Sequence, residues 1–222
     1  MSKRARFHGI SLGLFAGDLT DLAAEAAAAA DWGAQILHFD VMDGVFVPQF
    51  TGGAGFVKGL GGDALLDIHL MVARPVDHVA AMIAAGADLI TVHAEAEGAD
   101  AALYEIRREA KKAGREVLTG IALMPGTSLA EAAPLLAQEP DLALVLALDP
   151  RDNTPPDIKA ACARVADLRA LLPDALIAFD GGVTDATLSE IMAAGPDIVV
   201  SGSAVMRAPD RKAAFQAMAA AF

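Results

Sequence analysis

The stretch Ile36-Leu37-His38-Phe39-Asp40-Val41-Met42-Asp43-Gly44-Val45-Phe46-Val47-Pro48 decides how the chain is read. It begins apolar and β-prone and follows a glycine-containing turn, Trp32-Gly33-Ala34, so it reads as a strand running into a loop. Side chains alternate along a strand, which puts His38 and Asp40 on one face, about 6–7 Å apart. An imidazole and a carboxylate on one face can share a divalent metal. Asp40 can also carry a proton, and Asp43 with Gly44 turns the chain at the strand's C-terminal end. A His-x-Asp pair serves more often as a hydrogen-bonded structural pair than as a ligand pair. From this motif alone both readings stay open.

Outward from that stretch, short apolar runs alternate with amphipathic helical segments to both ends of the chain. The expected strands cover 9–14, 35–39, 65–69, 89–93, 116–123, 142–148, 176–179 and 198–200. Helical segments are expected at 19–31, 53–59, 75–85, 99–113, 129–137, 156–172, 186–194 and 209–222. Glycines recur where a helix gives way to the next strand, at Gly33, Gly86, Gly114 and Gly195, as left-handed C-caps require. Eight strand–helix units in 222 residues point to a (β/α)8 TIM barrel, with 1–222 as a single domain. The alternative, a doubly wound open sheet, lacks a Gly-x-Gly-x-x-Gly turn after its first strand.

Composition narrows the function classes. Hydrophobic residues make up 55% of the chain, but alanine-rich runs such as 23–30 account for much of this, and no apolar run is long enough for a membrane helix. The basic N-terminus, Met1-Ser2-Lys3-Arg4-Ala5-Arg6, leads into no apolar signal core, so a cytoplasmic protein is expected. The single cysteine, Cys162, permits no internal disulfide. A net charge of −12 argues against nucleic acid as a partner but leaves room for a small anionic substrate at a local site.

A TIM barrel does its chemistry at the C-terminal strand ends. Candidates there are Ser11 and Asp18; His38, Asp40 and Asp43; Asp67, His69 and Met71; His93 and Glu95; Asp149, Arg151, Asp152 and Asn153; Asp180; and Ser201 with Ser203. His38, His69 and His93 fall at the same end of three different strands, which core packing does not explain. His8 and His78 read as surface residues.

In order, these motifs are His38-x-Asp40, Met42-Asp43-Gly44-x-Phe46-Val47-Pro48, Asp67-Ile68-His69-Leu70-Met71, Thr91-Val92-His93-Ala94-Glu95, Asp180-Gly181-Gly182 and Ser201-Gly202-Ser203-Ala204. Together they resemble the ribulose-phosphate 3-epimerase family over nearly the whole chain. The resemblance implies a metal-dependent epimerase of a ketose phosphate. It implies one divalent ion (Zn, Fe, Mn or Co) held by residues matching His38, Asp40, His69 and Asp180. Asp40 and Asp180 would be the acid/base pair, one on each face of the substrate, exchanging a proton through a metal-stabilised enediolate. The resemblance implies that Met42 and Met71 line the site, although a methionine taken alone is more often a core residue. Gly181, Gly182, Gly202 and Ser203 match the phosphate end, where backbone N–H groups bind the anion. The implied partner is a small-molecule sugar phosphate, and a homo-oligomer is expected.

The sequence departs from that pattern in three places. The family's glycine-rich strand-6 lid is replaced by Asp149-Pro150-Arg151-Asp152-Asn153-Thr154-Pro155-Pro156, a stiff loop in which Arg151 is either an anion contact or a solvated charge. The serine expected five residues before Asp18 falls on Gly13, so Ser11 fits only with a two-residue shift. Met124-Pro125 stands where the family carries Asn-Pro. Proton and metal chemistry thus read as retained and substrate contacts as altered, in a divergent member acting on a different ketose phosphate or on a ketose without phosphate. Two other readings are a barrel lyase or decarboxylase and a non-catalytic sugar-phosphate-binding barrel.

Overall fold

The computed structural model describes residues 3–152 and 154–222. Met1 and Ser2 of the basic N-terminus, and Asn153 of the sixth loop, lie outside the described residues. Eight parallel strands close into a barrel in sequence order: β1 Gly9–Gly13, β2 Ile36–Met42, β3 Leu65–Met71, β4 Leu89–His93, β5 Leu118–Leu123, β6 Leu142–Leu146, β7 Leu176–Asp180 and β8 Ile198–Ser201. The helices are α1 Leu22–Trp32, α2 Ala54–Gly59, α3 Val79–Ala85, α4 Ala99–Ala113, α5 Leu129–Leu136, α6 Ile158–Leu171, α7 Asp185–Ala193, α8 Ser203–Met206 and α9 Arg211–Ala219. Among the described residues, no helix is long and apolar enough to cross a membrane.

The two-residue period of a strand sorts the β2 side chains. Leu37, Phe39 and Val41 pack outward in the layer between sheet and helices. Ile36 faces the barrel interior, alongside Leu65, Leu89, Leu118, Leu142 and Ile198. Phe7, which follows a short 3-10 turn at Arg4–Arg6, plugs this interior layer and is fully buried. Lys3 ties the N-terminal segment down through its Nζ, 2.7 Å from Asp88 Oδ1. Further along β2, the same inward face carries His38, Asp40 and Met42 toward the C-terminal mouth.

The observed elements differ from the sequence expectation mainly at their ends. β2 and β3 run on to include Met42 and Met71, so Asp40 belongs to a strand rather than to a loop. The expected helix at 75–85 is observed as a 3-10 turn, Pro75–Asp77, followed by the α-helix proper from Val79. The expected helix at 209–222 starts later, capped by Asp210, and the separate short α8 precedes it. Gly33, Gly86 and Gly114 cap their helices in the left-handed region. Gly195 lies one residue beyond the C-cap, Ala194.

Candidate active site

Strand register brings the site together. Along the β2–β3 ladder, His38 pairs with Asp67, Asp40 with His69, and Met42 with Met71. Adjacent inward side chains therefore touch: His38 Nδ1 lies 2.8 Å from Asp67 Oδ2, and His69 Nδ1 lies 3.1 Å from Asp40 Oδ1. His38 Nε2 also reaches Asp40 Oδ1, at 3.1 Å. Asp180, the last residue of β7, joins from the opposite side of the barrel. His38, Asp40, His69 and Asp180 each offer a donor atom within 4.8 Å of the others.

Two polar chains run back from this cluster. In one, Asp67 Oδ2 also accepts from the Ser11 hydroxyl at 2.8 Å, which fixes the carboxylate beneath His38. In the other, His69 Nε2 lies 2.9 Å from His93 Nε2, and His93 Nδ1 lies 3.2 Å from Glu95 Oε2. Glu95 Oε1 accepts from Met124 N at 2.9 Å and from the Thr127 hydroxyl. Burial, only partly offset by Glu95, holds His93 down at about 4, so its ring is neutral at neutral pH. Burial pushes against charge on Glu95 too, but the contacts of His93, Thr127 and Met124 prevail and hold it at about 2.

Proton counting in the second chain bears on what the cluster can hold. Between the carboxylates of Asp40 and Glu95 lie two rings and three nitrogen contacts, each needing one hydrogen. Two neutral rings supply two hydrogens. Assigned from this network, neutral His93 donates to Glu95 and accepts from His69, which leaves the His69–Asp40 contact short of positive charge. His38 poses the same demand, wedged between Asp67 and Asp40. Burial opposes charge on His38, yet these two carboxylates raise it well above its ordinary value. Burial likewise opposes charge on Asp40, but His38 and His69 pull it far below the usual carboxylate range. Burial lifts Asp180 to about 6 against the pull of His38, and the Asp40 carboxylate adds to the rise. A divalent cation among two imidazoles and two carboxylates would meet these demands with ordinary ligand chemistry, and Asp67 and His93 would orient the ligand rings from behind.

A cavity of about 410 Å³ opens above the cluster, and Asp40, Met42, Met71, Asp180, Gly181, Gly182, Gly202 and Ser203 all line it. Met42 and Met71 pack with Val47 and Phe46 into a small apolar wall. The Asp43 turn holds that wall in place. Its Oδ1 accepts from Val45 N and Phe46 N, while its Oδ2 accepts from Ala73 N, 2.7 Å away beyond β3. A second depression lies at the other end of the barrel, bounded by Arg4, Asp141 and Leu171, and among the described residues it holds no group of metal-ligating side chains.

Several sequence candidates lie outside the cavity lining. Ser11 does not line the cavity. It is fully buried and spends its hydroxyl on Asp67, while Gly13 occupies the wall at the end of β1. Arg151 also stays outside the cavity, clamped by two nitrogens to Asp149 of its own loop. His93 and Glu95 sit behind His69 rather than at the surface of the cavity. Asp152, one of the candidates after the sixth strand, does reach the wall. Gln49 and Arg207 line it as well, and the sequence does not single them out. No spacing signal marks Arg207, which follows a helix of four residues.

An eight-stranded barrel whose mouth gathers carboxylates and imidazoles beneath a cavity has the architecture of an enzyme, with a side-chain cluster that could hold a divalent ion. The family model described as "Ribulose-phosphate 3 epimerase family" matches residues 9–206. The chain is 34% identical over 205 residues to the cytoplasmic isoform of ribulose-phosphate 3-epimerase from Oryza sativa, covering 90% of this chain and 88% of the relative. It is 34% identical to the Escherichia coli ribulose-phosphate 3-epimerase, covering 91% of each. The chain belongs to the ribulose-phosphate 3-epimerase family, whose members are isomerases that epimerise carbohydrates. Solved structures share the fold at lower identity. A 3-hexulose-6-phosphate synthase matches with a TM-score of 0.71 at 20% identity, covering 96% of this chain and 99% of the other. A 3-keto-L-gulonate-6-phosphate decarboxylase from Vibrio cholerae matches with 0.69 at 16%, covering 97% of this chain and 98% of the other.

Proposed function

We propose that the chain epimerises a pentulose 5-phosphate of the ribulose type at the carbon beside its ketone. The observation that carries this reading is the meeting of Asp40 and Asp180 from opposite sides of the barrel at the floor of one cavity. Inversion needs a proton removed from one face of a carbon and returned to the other, and two carboxylates facing each other across a substrate can do this. A divalent ion held by His38, Asp40, His69 and Asp180 would polarise the ketone oxygen and offset the negative charge that develops there. Asp40 and Asp180 hold and move the proton. Met42 and Met71 exclude water from the exchanging carbon, which keeps the carboxylates' interactions strong. Asp67 and the His93–Glu95 pair keep the two imidazoles aimed inward.

The test is D-ribulose 5-phosphate incubated with enzyme in deuterium oxide. One deuterium should enter at carbon 3 of recovered substrate and product with no carbon lost. A chelator should stop the exchange and a divalent ion should restore it. Loss of a carbon fragment would point to a lyase, and absence of both exchange and bound metal would point to a binding protein.

A further inference from the structure

The cavity wall opposite the apolar methionines is built from the ends of β1, β7 and β8. Gly13, Gly181, Gly182 and Gly202 present bare backbone on this wall. At two of them an added side chain would be crowded, at Gly13, or would clash, at Gly182. A Cβ on Gly13 would lie 3.1 Å from the Gly202 Cα, and one on Gly182 would lie 2.6 Å from the Pro156 Cβ. Gly181 and Gly182 both sit in the left-handed region, at φ 96° and 68°. The backbone N–H groups of Gly182 and Gly202 have no hydrogen-bond partner among the described residues. Bare, unpaired N–H groups on a cavity wall suit an anion.

One side chain brings a full positive charge to that wall. Of the described residues lining the cavity, Arg207 is the sole cation, whereas Asp40, Asp152 and Asp180 are acids. The Arg207 guanidinium forms no hydrogen bond or ion pair among the described residues, and only the backbone N–H of this residue is engaged, donating to Ser203 O at 3.1 Å. The basic residue of the sixth loop, Arg151, is already neutralised by Asp149 and lies outside the cavity lining. Asp152 makes no ion pair with Arg207, and its Oδ1 accepts from Thr154 N. A free guanidinium beside a cavity, in a chain of net charge −12, is placed to receive an incoming anion.

We infer that Arg207 binds the phosphate of the substrate and sets the preference for a phosphorylated ketose. This rests on the functional reading above and deepens it. Among the described residues, the proline-rich sixth loop presents no cation to the cavity, and Arg207 supplies that charge from the β8 side.

The test compares wild type, Arg207→Gln and Arg207→Lys with D-ribulose 5-phosphate as substrate and inorganic phosphate as a competing ligand. Arg207→Gln should raise KM roughly 10–100-fold, the range for losing one charge-assisted contact, with kcat changed much less. The inhibition constant of inorganic phosphate should rise in step, and Arg207→Lys should recover part of both. Unchanged KM and phosphate inhibition in Arg207→Gln, or a fall in kcat alone, would overturn the inference. If the wild type does not turn over this substrate, the functional reading fails. Calorimetric titration of inorganic phosphate into wild type and Arg207→Gln then still decides whether Arg207 binds the anion.

Discussion

Asp40 and His69 are register partners on neighbouring parallel strands, and the carboxylate Oδ1 stands 3.1 Å from the imidazole Nδ1. The same Oδ1 is 3.1 Å from His38 Nε2, so one oxygen faces two ring nitrogens. The strand pairing that builds the barrel wall thus also sets the geometry of the centre. A slip of one residue between β2 and β3 would turn His69 outward and dismantle it.

Replacement of Asp180 separates catalysis from folding. Asp180→Asn keeps the shape of the side chain but leaves no proton acceptor on that face. Turnover should fall by at least ~10²–10⁴-fold, the range for losing a general acid or base. In metal-free protein the same change should raise stability at about pH 7.5, for the following reason. The folded-state value of Asp180, about 6, lies above that of the unfolded chain, so the folded protein loses stability as Asp180 ionises with rising pH. The stability gap between variant and wild type should therefore close as pH falls toward about 4. Thermal melts gain roughly 2–4 °C per kcal/mol in a chain of this size. Near-normal turnover in Asp180→Asn would remove the two-carboxylate mechanism.

His93 and Glu95 should matter through His69. His93→Phe leaves the His69 Nε2 without an acceptor and frees the ring to turn. Divalent-ion affinity, measured by competition with a chromogenic chelator, should drop about 10–100-fold. Glu95→Gln should act in the same direction and more weakly, since the amide can still accept from His93 but carries no charge. Affinity equal to wild type in both variants would show that the pair only packs.

Ion binding should release protons. Ligation needs His38 Nε2 and Asp180 in their deprotonated forms, yet His38 lies well above its ordinary value in the metal-free protein and Asp180 lies at about 6. Both shifts have the same sign for this equilibrium: lowering the pH loads protons that the ion must displace. Affinity should therefore weaken steadily from about pH 7.5 to about pH 5. Calorimetry in two buffers of different ionisation enthalpy should report net proton release near neutral pH. An affinity independent of pH across that window would contradict the assignment of these ligands.

Much of this centre was legible in the sequence because a strand's period is two. The spacing of His38 and Asp40, of Asp67 and His69, and of His93 and Glu95 already assigns each pair to one face. What spacing does not carry is depth and contact across strands. Ser11 and Asp67 look like members of the active-site rim, and only the contacts between β1, β2 and β3 show them stacked below His38. Arg151 looks available for an anion until its fork closes on Asp149, two residues earlier. Arg207 follows a single turn of helix, too short to leave a periodic trace, and its position depends on how β8 packs beside β1.

The base of the barrel offers a stability test that leaves the chemistry alone. Phe7 is fully buried and packs within the barrel with Ile36, Leu65 and Leu89, at the N-terminal strand ends. Phe7→Ala removes most of that plug, and the rigid ring of strands around it is poorly placed to collapse into the space. Unfolding free energy should fall by about 3–5 kcal/mol, measured by denaturant titration. The centre lies further along β2, and the span from Ile36 to Asp40 is roughly 13 Å at the rise of a strand. KM and ion affinity of the folded variant at room temperature should therefore stay close to wild type. A large change in either would mean that the packing at the base of the barrel controls the positions of His38 and Asp40, and that the two ends of the barrel are mechanically coupled.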